Sequence, residues 1–399
     1  MQALSPSDVV NRDQRSDAPR LWIAKLYYFL FFGAIGALAP FFNIYLQQRG
    51  LSGAEIGFMS SIPPVVTLVA GPIWAGIADR SRRHQLVLAL CVFMSGVVSI
   101  PYLWTTGFWP LFLLVVVMAF FRTPVAPLLD AIVLGMVKGT GSSYGAQRLF
   151  GSIGYILATY GVGLVLTANN LGAMFVLHAV LLIAGCTALS FFLPAESVTE
   201  TVDMVAGLRK LTRQPGYTSF LVTNVLQGMA TAAFFGFLGL RLLDIGATEQ
   251  QVGLAFALAA SAEVPVMALG GRMQARFRLA QMIIFGLIGV GVAYFLIGLA
   301  NTPVIALAVM PFIGVFYSAY WMGVVAYANE AAPPGLRATG QSLMSAAQFG
   351  LGWALGSIIA GIIWGAFGGG WVFIVGAVLM FAAMTVFAVG TRKRNALLA

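Results

Sequence analysis

The sequence is poor in charge. Of its 399 residues only 9% are Asp, Glu, Lys or Arg, where a soluble domain carries roughly 25%. Hydrophobic residues make up 60%, and mean hydropathy is +0.91. Such a composition excludes a soluble enzyme and a disordered scaffold. Histidine is nearly absent, with His84 and His178 alone, and the two cysteines, Cys91 and Cys186, each lie in an apolar run. So few ligands give no metal site and no disulfide framework. His-Glu-x-x-His, a Walker loop and a paired Ser–His motif are all missing, which leaves an intramembrane enzyme without catalytic groups. Basic residues outnumber acidic ones by 22 to 13, a net charge of +9, but they are too scattered to bind nucleic acid.

Long apolar runs fill the chain instead. The first twenty residues are polar, and the run that follows is too long for a cleaved secretory signal, so it reads as an uncleaved first span. Apolar stretches recur at 21–47, 54–78, 85–105, 110–137, 145–167, 172–194, 217–245, 248–271, 279–300, 303–331, 337–366 and 370–390. Only helices fit runs of this length. The boundary at 246–248 is faint. The longest polar interruption, 195–216, separates six spans from six. The expected organisation is an N-terminal tail 1–20, a six-helix bundle 21–194, a central loop 195–216, a second bundle 217–390 and a tail 391–399. With both termini in the cytoplasm, 17 of the 22 basic residues fall on that side and only Arg49 and Arg241 on the other. The bias fixes the orientation, because cytoplasmic loops collect Lys and Arg.

A weak internal repeat supports the division. Ile56-Gly57 recurs as Val252-Gly253 at an offset of 196, and Arg80 and Arg82 match Arg276 and Arg278. Six-plus-six repeats of this kind are the architecture of major facilitator transporters, with a substrate site near mid-membrane. The expected fold is therefore an all-α membrane protein of twelve transmembrane helices in two pseudo-symmetric six-helix bundles. Glycines recur in spans one, five and eleven, including the pairs Gly352/Gly356 and Gly361/Gly365, and small residues let helix backbones approach closely. Between spans two and three, Trp74-Ala-Gly-Ile-Ala-Asp79-Arg80-Ser-Arg-Arg83 resembles the major facilitator loop signature Gly-x-Leu-Ala-Asp-Arg-x-Gly-Arg-Lys. Ala75 and Arg82 stand where that signature has glycine. The resemblance implies that Asp79, with Arg80, gates the conformational change. The alternative is a topology-setting basic loop with a solvated Asp.

A charge inside a span costs at least about 2.5–3.5 kcal/mol and is functional by default. Arg122, Asp130, Arg148 and Glu263 qualify. Asp130 lies about seven residues before the cytoplasmic end of span four, and Arg148 about four residues into span five, depths of roughly 10 and 6 Å. An Asp130–Arg148 ion pair is therefore expected. Tyr155, seven residues on from Arg148, lies about 20° away on the same face. Carboxylate, guanidinium and ring together suit a small-molecule site.

These residues carry a specific resemblance. Thr123-Pro-Val-Ala-Pro-Leu-Leu-Asp130 followed by Tyr144-Gly-Ala-Gln-Arg148-Leu-Phe-Gly-Ser-Ile-Gly-Tyr155 resembles the lactose permease family, which keeps the same spacing of acid and arginine and has a tryptophan at the place of Tyr155. Pro40-Phe-Phe42 in span one agrees. The phenylpropionate permease branch is nearest, sharing Pro-x-x-Pro-Leu-x-Asp and resembling this chain at Leu226-Gln227-Gly228 and Ala262-Glu263-Val264. The resemblance implies substrate binding by Asp130, Arg148 and Tyr155; Gln227, Arg122 and Tyr28, polar groups inside spans, are added as candidate binding residues, Gln227 and Tyr28 with helix-packing hydrogen bonds as the alternative. It implies a proton-coupling or substrate role for Glu263, with proton coupling shared by Asp130, since a buried carboxylate in a span could cycle its proton; the alternative for Glu263 is a neutral, hydrogen-bonded structural residue. Span ten lacks the family's histidine, span nine its arginine and span eleven its lysine, which argues against lactose itself. Arg122 has two readings, a second anion anchor or a partner for Glu263. Asn43, Asn224, Tyr317, Tyr320 and Gln348 add polar groups that are cavity lining or helix-packing hydrogen bonds. His178 reads as structural.

The expected function is proton-coupled uptake of an aromatic carboxylate, sugar or nucleoside, with proton-driven efflux of amphipathic compounds as the alternative. No cofactor is expected beyond the proton gradient. The partners are solute, protons and the bilayer, the protein acts as a monomer, and the site of action is the bacterial inner membrane.

Overall fold

A computed structural model of the chain describes residues 6–138, 140–194, 210–212, 214, 216–333 and 336–398. The central segment 195–216 lies largely outside these residues, as do residues 1–5. Twelve helices are long and apolar enough to span a bilayer. They are α1 (Leu21–Gln48), α2 (Gly53–Ser81), α3 (His84–Leu103), α4 (Phe108–Val137), α5 (Tyr144–Val165), α6 (Ala173–Ser190), α7 (Tyr217–Asp244), α8 (Glu249–Ala268), α9 (Leu279–Leu299), α10 (Pro303–Ala331), α11 (Thr339–Phe367) and α12 (Gly369–Thr391). Each end lies within about four residues of its expected place. Among the described residues there is no strand.

The faint boundary between α7 and α8 is made by local chemistry. Gly246 takes φ +89°, open only to a residue without Cβ. Thr248 then starts α8 with a reciprocal cap: Gln251 N–H donates to the Thr248 hydroxyl at 3.3 Å, and Thr248 N–H donates to the Gln251 side-chain oxygen at 3.0 Å. This satisfies two donors that a helix start leaves without partners. At this same end of α7, Arg241 donates to the carbonyls of Gly298 (3.2 Å) and Ala300 (2.6 Å). One of the two basic residues assigned to the outer side is thereby spent on the C-terminal carbonyls of α9.

Packing divides the chain into two compact units. Unit 1 comprises residues up to Leu38, Val66–Ala158 and Gly172–Glu200. Unit 2 comprises Ala39–Val65, Thr159–Leu171 and the chain from Thr201 onward. The ends of α1, α2 and α5 that the charge bias assigns to the outer face thus pack with α7 to α12. Glycines make this possible. A Cβ on Gly57 would lie 2.8 Å from the Gly361 Cα, and one on Gly253 would lie 2.6 Å from the Thr159 carbonyl and 3.1 Å from the Gly163 Cα. Gly57 and Gly253 are the two glycines of the internal repeat, and each crosses a partner helix at a glycine with a small polar residue four positions earlier (Ser357, Thr159). The repeat is therefore a repeated helix crossing. Asn43 adds a tie within unit 2, donating to the Gly236 carbonyl at 2.7 Å and to Ser60 at 3.1 Å.

In unit 1, α4 is broken at Thr123–Pro124, between helices Phe108–Arg122 and Val125–Val137. Proline has no N–H to give the carbonyl four residues back, which is that of Phe120. The Trp74 indole N–H supplies the missing donor at 3.0 Å. The break sits directly after Arg122. α6 and α11 each contain a π-helical turn, Leu181–Cys186 and Ala346–Gly352.

Candidate substrate and coupling residues

The crossing of α1 and α5 builds the first site, and it too rests on glycine. A Cβ on Gly154 would meet the Phe29 carbonyl closer than side chains come to one another, and a Cβ on Gly151 would lie 2.7 Å from the Arg148 guanidinium and 2.8 Å from the Phe32 ring. Both positions need glycine so that α1 can bring its aromatic face against α5. The Gly-x-x-Arg-x-x-Gly frame thus has a steric meaning at Gly151, whereas a Cβ on its first glycine, Gly145, would meet nothing within 4 Å. Its second glycine is the floor on which Arg148 and Phe32 meet.

The expected Asp130–Arg148 pair does not form. Tyr28, fully buried on α1, donates its hydroxyl to Asp130 Oδ1 at 2.5 Å. Tyr144 stands edge-on to Tyr28, with ring centroids 6.5 Å apart, and its hydroxyl neighbours the same carboxylate. Arg148 lies 3.7 Å over the Phe32 ring and 5.7 Å from that of Tyr28. Among the described residues neither Asp130 nor Arg148 enters an ion pair. The physical reason lies on α1, whose phenol gives the acid a strong charge-assisted bond. Its rings give the guanidinium a face to lie on, while among the described residues the planar edge and its N–H donors have no hydrogen-bond acceptor. Tyr155 is half-buried further along α5.

Arg122 is half-buried and has no ion pair or hydrogen bond among the described residues. Tyr102 and His178 are within electrostatic reach of it. His178 is fully buried, with Nδ1 2.8 Å from the Ala34 carbonyl.

In unit 2, Glu263 is half-buried on α8 two residues before Pro265, without an ion pair or hydrogen bond among the described residues. Tyr317 on α10 is its electrostatic neighbour. A close crossing brings the two helices together, for a Cβ on Gly314 would lie 3.0 Å from the Ala262 side chain. Gln227 is buried and donates to Thr231 at 2.7 Å within its own helix. Tyr320 donates to Asn224 at 3.0 Å, which donates in turn to the Phe220 carbonyl at 2.7 Å. The Tyr320–Asn224 bond is a packing link between α10 and α7.

At the loop between α2 and α3, Asp79 lies 3.3 Å from His84 Nε2, and Arg80 is exposed. Arg82, standing where the major facilitator signature has glycine, adopts φ +51°. The left-handed turn that the signature's glycine allows is present here with a side chain on it. Sequence reasoning missed Tyr144 and Phe32. The aromatic residue opening span five was the available signal for Tyr144, and Phe32, one turn after Tyr28, carried no signal beyond its helical spacing.

Among the described residues, twelve helices long and apolar enough to cross a bilayer, with charged residues inside them and glycine-built crossings between them, make a multi-pass membrane protein. The MFS_1 like family matches residues 21–375, and the chain belongs to it. The maltose permease of Geobacillus stearothermophilus is 29% identical over 354 residues, covering 87% of this chain and 88% of that one. A probable 3-phenylpropionic acid transporter of Escherichia coli is 26% identical over 285 residues, 67% and 71% of the two chains. The crystal structure of the nucleoside transporter NupG superposes with a TM-score of 0.78 at 18% identity, over 92% of this chain and 98% of that one, a likeness of fold.

Proposed function

We propose that this transporter takes up a small organic solute together with protons, by alternating access, as a monomer in a bacterial inner membrane with both termini in the cytoplasm. The solute is an aromatic carboxylate, a sugar or a nucleoside. Relatives include a maltose permease and a probable 3-phenylpropionic acid transporter, in keeping with that range. The observation that carries the reading is the state of the charges in unit 1. Asp130 is held by the Tyr28 hydroxyl, and Arg148 lies on the Phe32 ring with its edge uncommitted. A guanidinium so placed can grip a carboxylate or vicinal hydroxyls with two parallel bonds, while an aromatic solute face packs on the neighbouring rings. Tyr155, Tyr28 and Arg122 complete the binding set of unit 1, Gln227 is the binding residue of unit 2, and Asp79 with Arg80 gates the movement. Glu263, without a partner in its span, cycles the coupled proton, so that protonation biases the equilibrium between the two access states.

Uptake of radiolabelled maltose, 3-phenylpropionate and uridine into oriented vesicles tests this. Accumulation of one of them when the outside is acid, abolished in Arg148→Lys at normal membrane levels, is expected. A lysine is a point charge and cannot replace the planar fork. Near-normal uptake by Arg148→Lys removes Arg148 from the site. Accumulation only with an alkaline exterior, or expulsion of solute under an acid one, reverses the direction and favours efflux.

A further inference from the structure

Arg122 has no role in the geometry above beyond its place in the binding set. It closes the first half of α4, directly before the proline break, and its guanidinium is half-buried with no acid paired to it among the described residues. The acid on the same span, Asp130, is already bonded to Tyr28. Tyr102 and His178, both fully buried, are within electrostatic reach of Arg122. The His178 ring is anchored through Nδ1 on the Ala34 carbonyl, and its Nε2 is buried with no hydrogen-bond partner. Among the described residues, Arg122 thus has a buried ring nitrogen without a hydrogen-bond partner in its electrostatic surroundings and no acid paired to it.

A charge of this kind inside a span needs a counter-charge. The charges of the α4–α5 region do not supply it, since Arg122 and Arg148 are two unpaired guanidiniums against one carboxylate that a tyrosine already holds. We propose that Arg122 is an anion site, and that the solute carried is itself a monovalent anion, a carboxylate or similar oxyanion, whose charged group docks there. The inference rests on the transport reading above and narrows its solute to the anionic class. Free chloride shares the chemistry, so the test separates the two sources.

The full-length protein in nanodiscs is followed by thermal unfolding with matched probes: benzoate against benzamide, 3-phenylpropionate against its amide, and sodium chloride against sodium gluconate. The acid of a pair is expected to raise the midpoint more than its amide. In Arg122→Gln the apparent affinity for the acid should fall about tenfold or more, and Arg122→Lys should recover part of the loss. Chloride that stabilises the wild type, fails to stabilise Arg122→Gln and competes with benzoate makes the site one that the medium also fills, and supports it as an anion site. Equal responses to acid and amide in the wild type, including none to either, overturn the proposal, and that comparison needs no variant to fold. An acid preference that survives in Arg122→Gln overturns it as well. If wild-type vesicles accumulate maltose in an Arg148-dependent manner while acid and amide remain indistinguishable, the transport reading stands and this inference alone fails.

Discussion

The α1–α5 crossing makes a claim that can be checked without knowing the solute. Gly154 leaves no room for a methyl group, whose nearest neighbours would be the carbonyl oxygen of Phe29 and, at 2.9 Å, its Cα. Backbone cannot swing aside as a side chain end can, so Gly154→Ala forces α1 and α5 apart by about 1 Å. Overpacking of this kind costs about 1–3 kcal/mol. Tyr28 is the residue next to Phe29, and a retreat of that size stretches its 2.5 Å bond to Asp130 to the edge of hydrogen-bond range, where a bond to a charged group worth about 1.5–3 kcal/mol is largely lost. Together the two effects predict a destabilisation of about 2.5–6 kcal/mol. Gly145→Ala is the control, on the same helix with nothing within 4 Å of a built Cβ. It should stay within about 0.5 kcal/mol of wild type. Unfolding of both purified variants in mild detergent, followed by circular dichroism, gives the comparison. If Gly154→Ala unfolds with Gly145→Ala, the helices are not in backbone contact there, and the steric account of the α1–α5 crossing fails.

Three further outcomes are expected. Glu263→Gln should abolish solute accumulation driven by a pH gradient while leaving solute–solute exchange, and undiminished solute-dependent proton influx would remove Glu263 from the coupling step. Arg241→Met should cost about 1–3 kcal/mol, because the carbonyls of Gly298 and Ala300 lose their donor; denaturant unfolding measures it, and a loss under 0.5 kcal/mol would mean that water serves those carbonyls equally well. Trp74→Phe keeps an aromatic ring but leaves the Phe120 carbonyl, deprived of its helical donor by Pro124, without the indole, a loss of about 1–3 kcal/mol by the same assay; no change would show that the proline break satisfies itself.

Which parts of this were legible in the sequence follows from the range of the forces involved. A span is a local property, set by about twenty consecutive apolar residues, and all twelve could be placed to within a few residues. The α7–α8 boundary was faint because hydropathy does not register it. A left-handed glycine and a reciprocal Thr–Gln cap make that turn, and the Thr-x-x-Gln spacing at 248–251 was readable as such. The repeat at Gly57 and Gly253 was visible as a match, but its meaning was not, since a crossing is defined by the glycines on the other helices, Gly361 and Gly163. The departure at Arg82 was visible too, whereas only coordinates assign it a positive φ.

Helical geometry gave Asp130 and Arg148 comparable depths, but it says nothing of what a third helix brings to that depth. Tyr28 stands 102 positions before Asp130, and its hydroxyl takes the acid while Phe32, one turn on, takes the arginine. The consequence for transport is energetic. Removing one partner from a buried ion pair strands the other charge and costs about 3–5 kcal/mol, so a solute entering a formed Asp–Arg pair would have to recover that sum from its own contacts. A neutral phenol on the acid and an aromatic face beneath the guanidinium keep both charges solvated by the protein without setting them against each other. Arg148 can then offer its full edge to a ligand while Asp130 keeps its bond, and binding need not begin with the breaking of an ion pair.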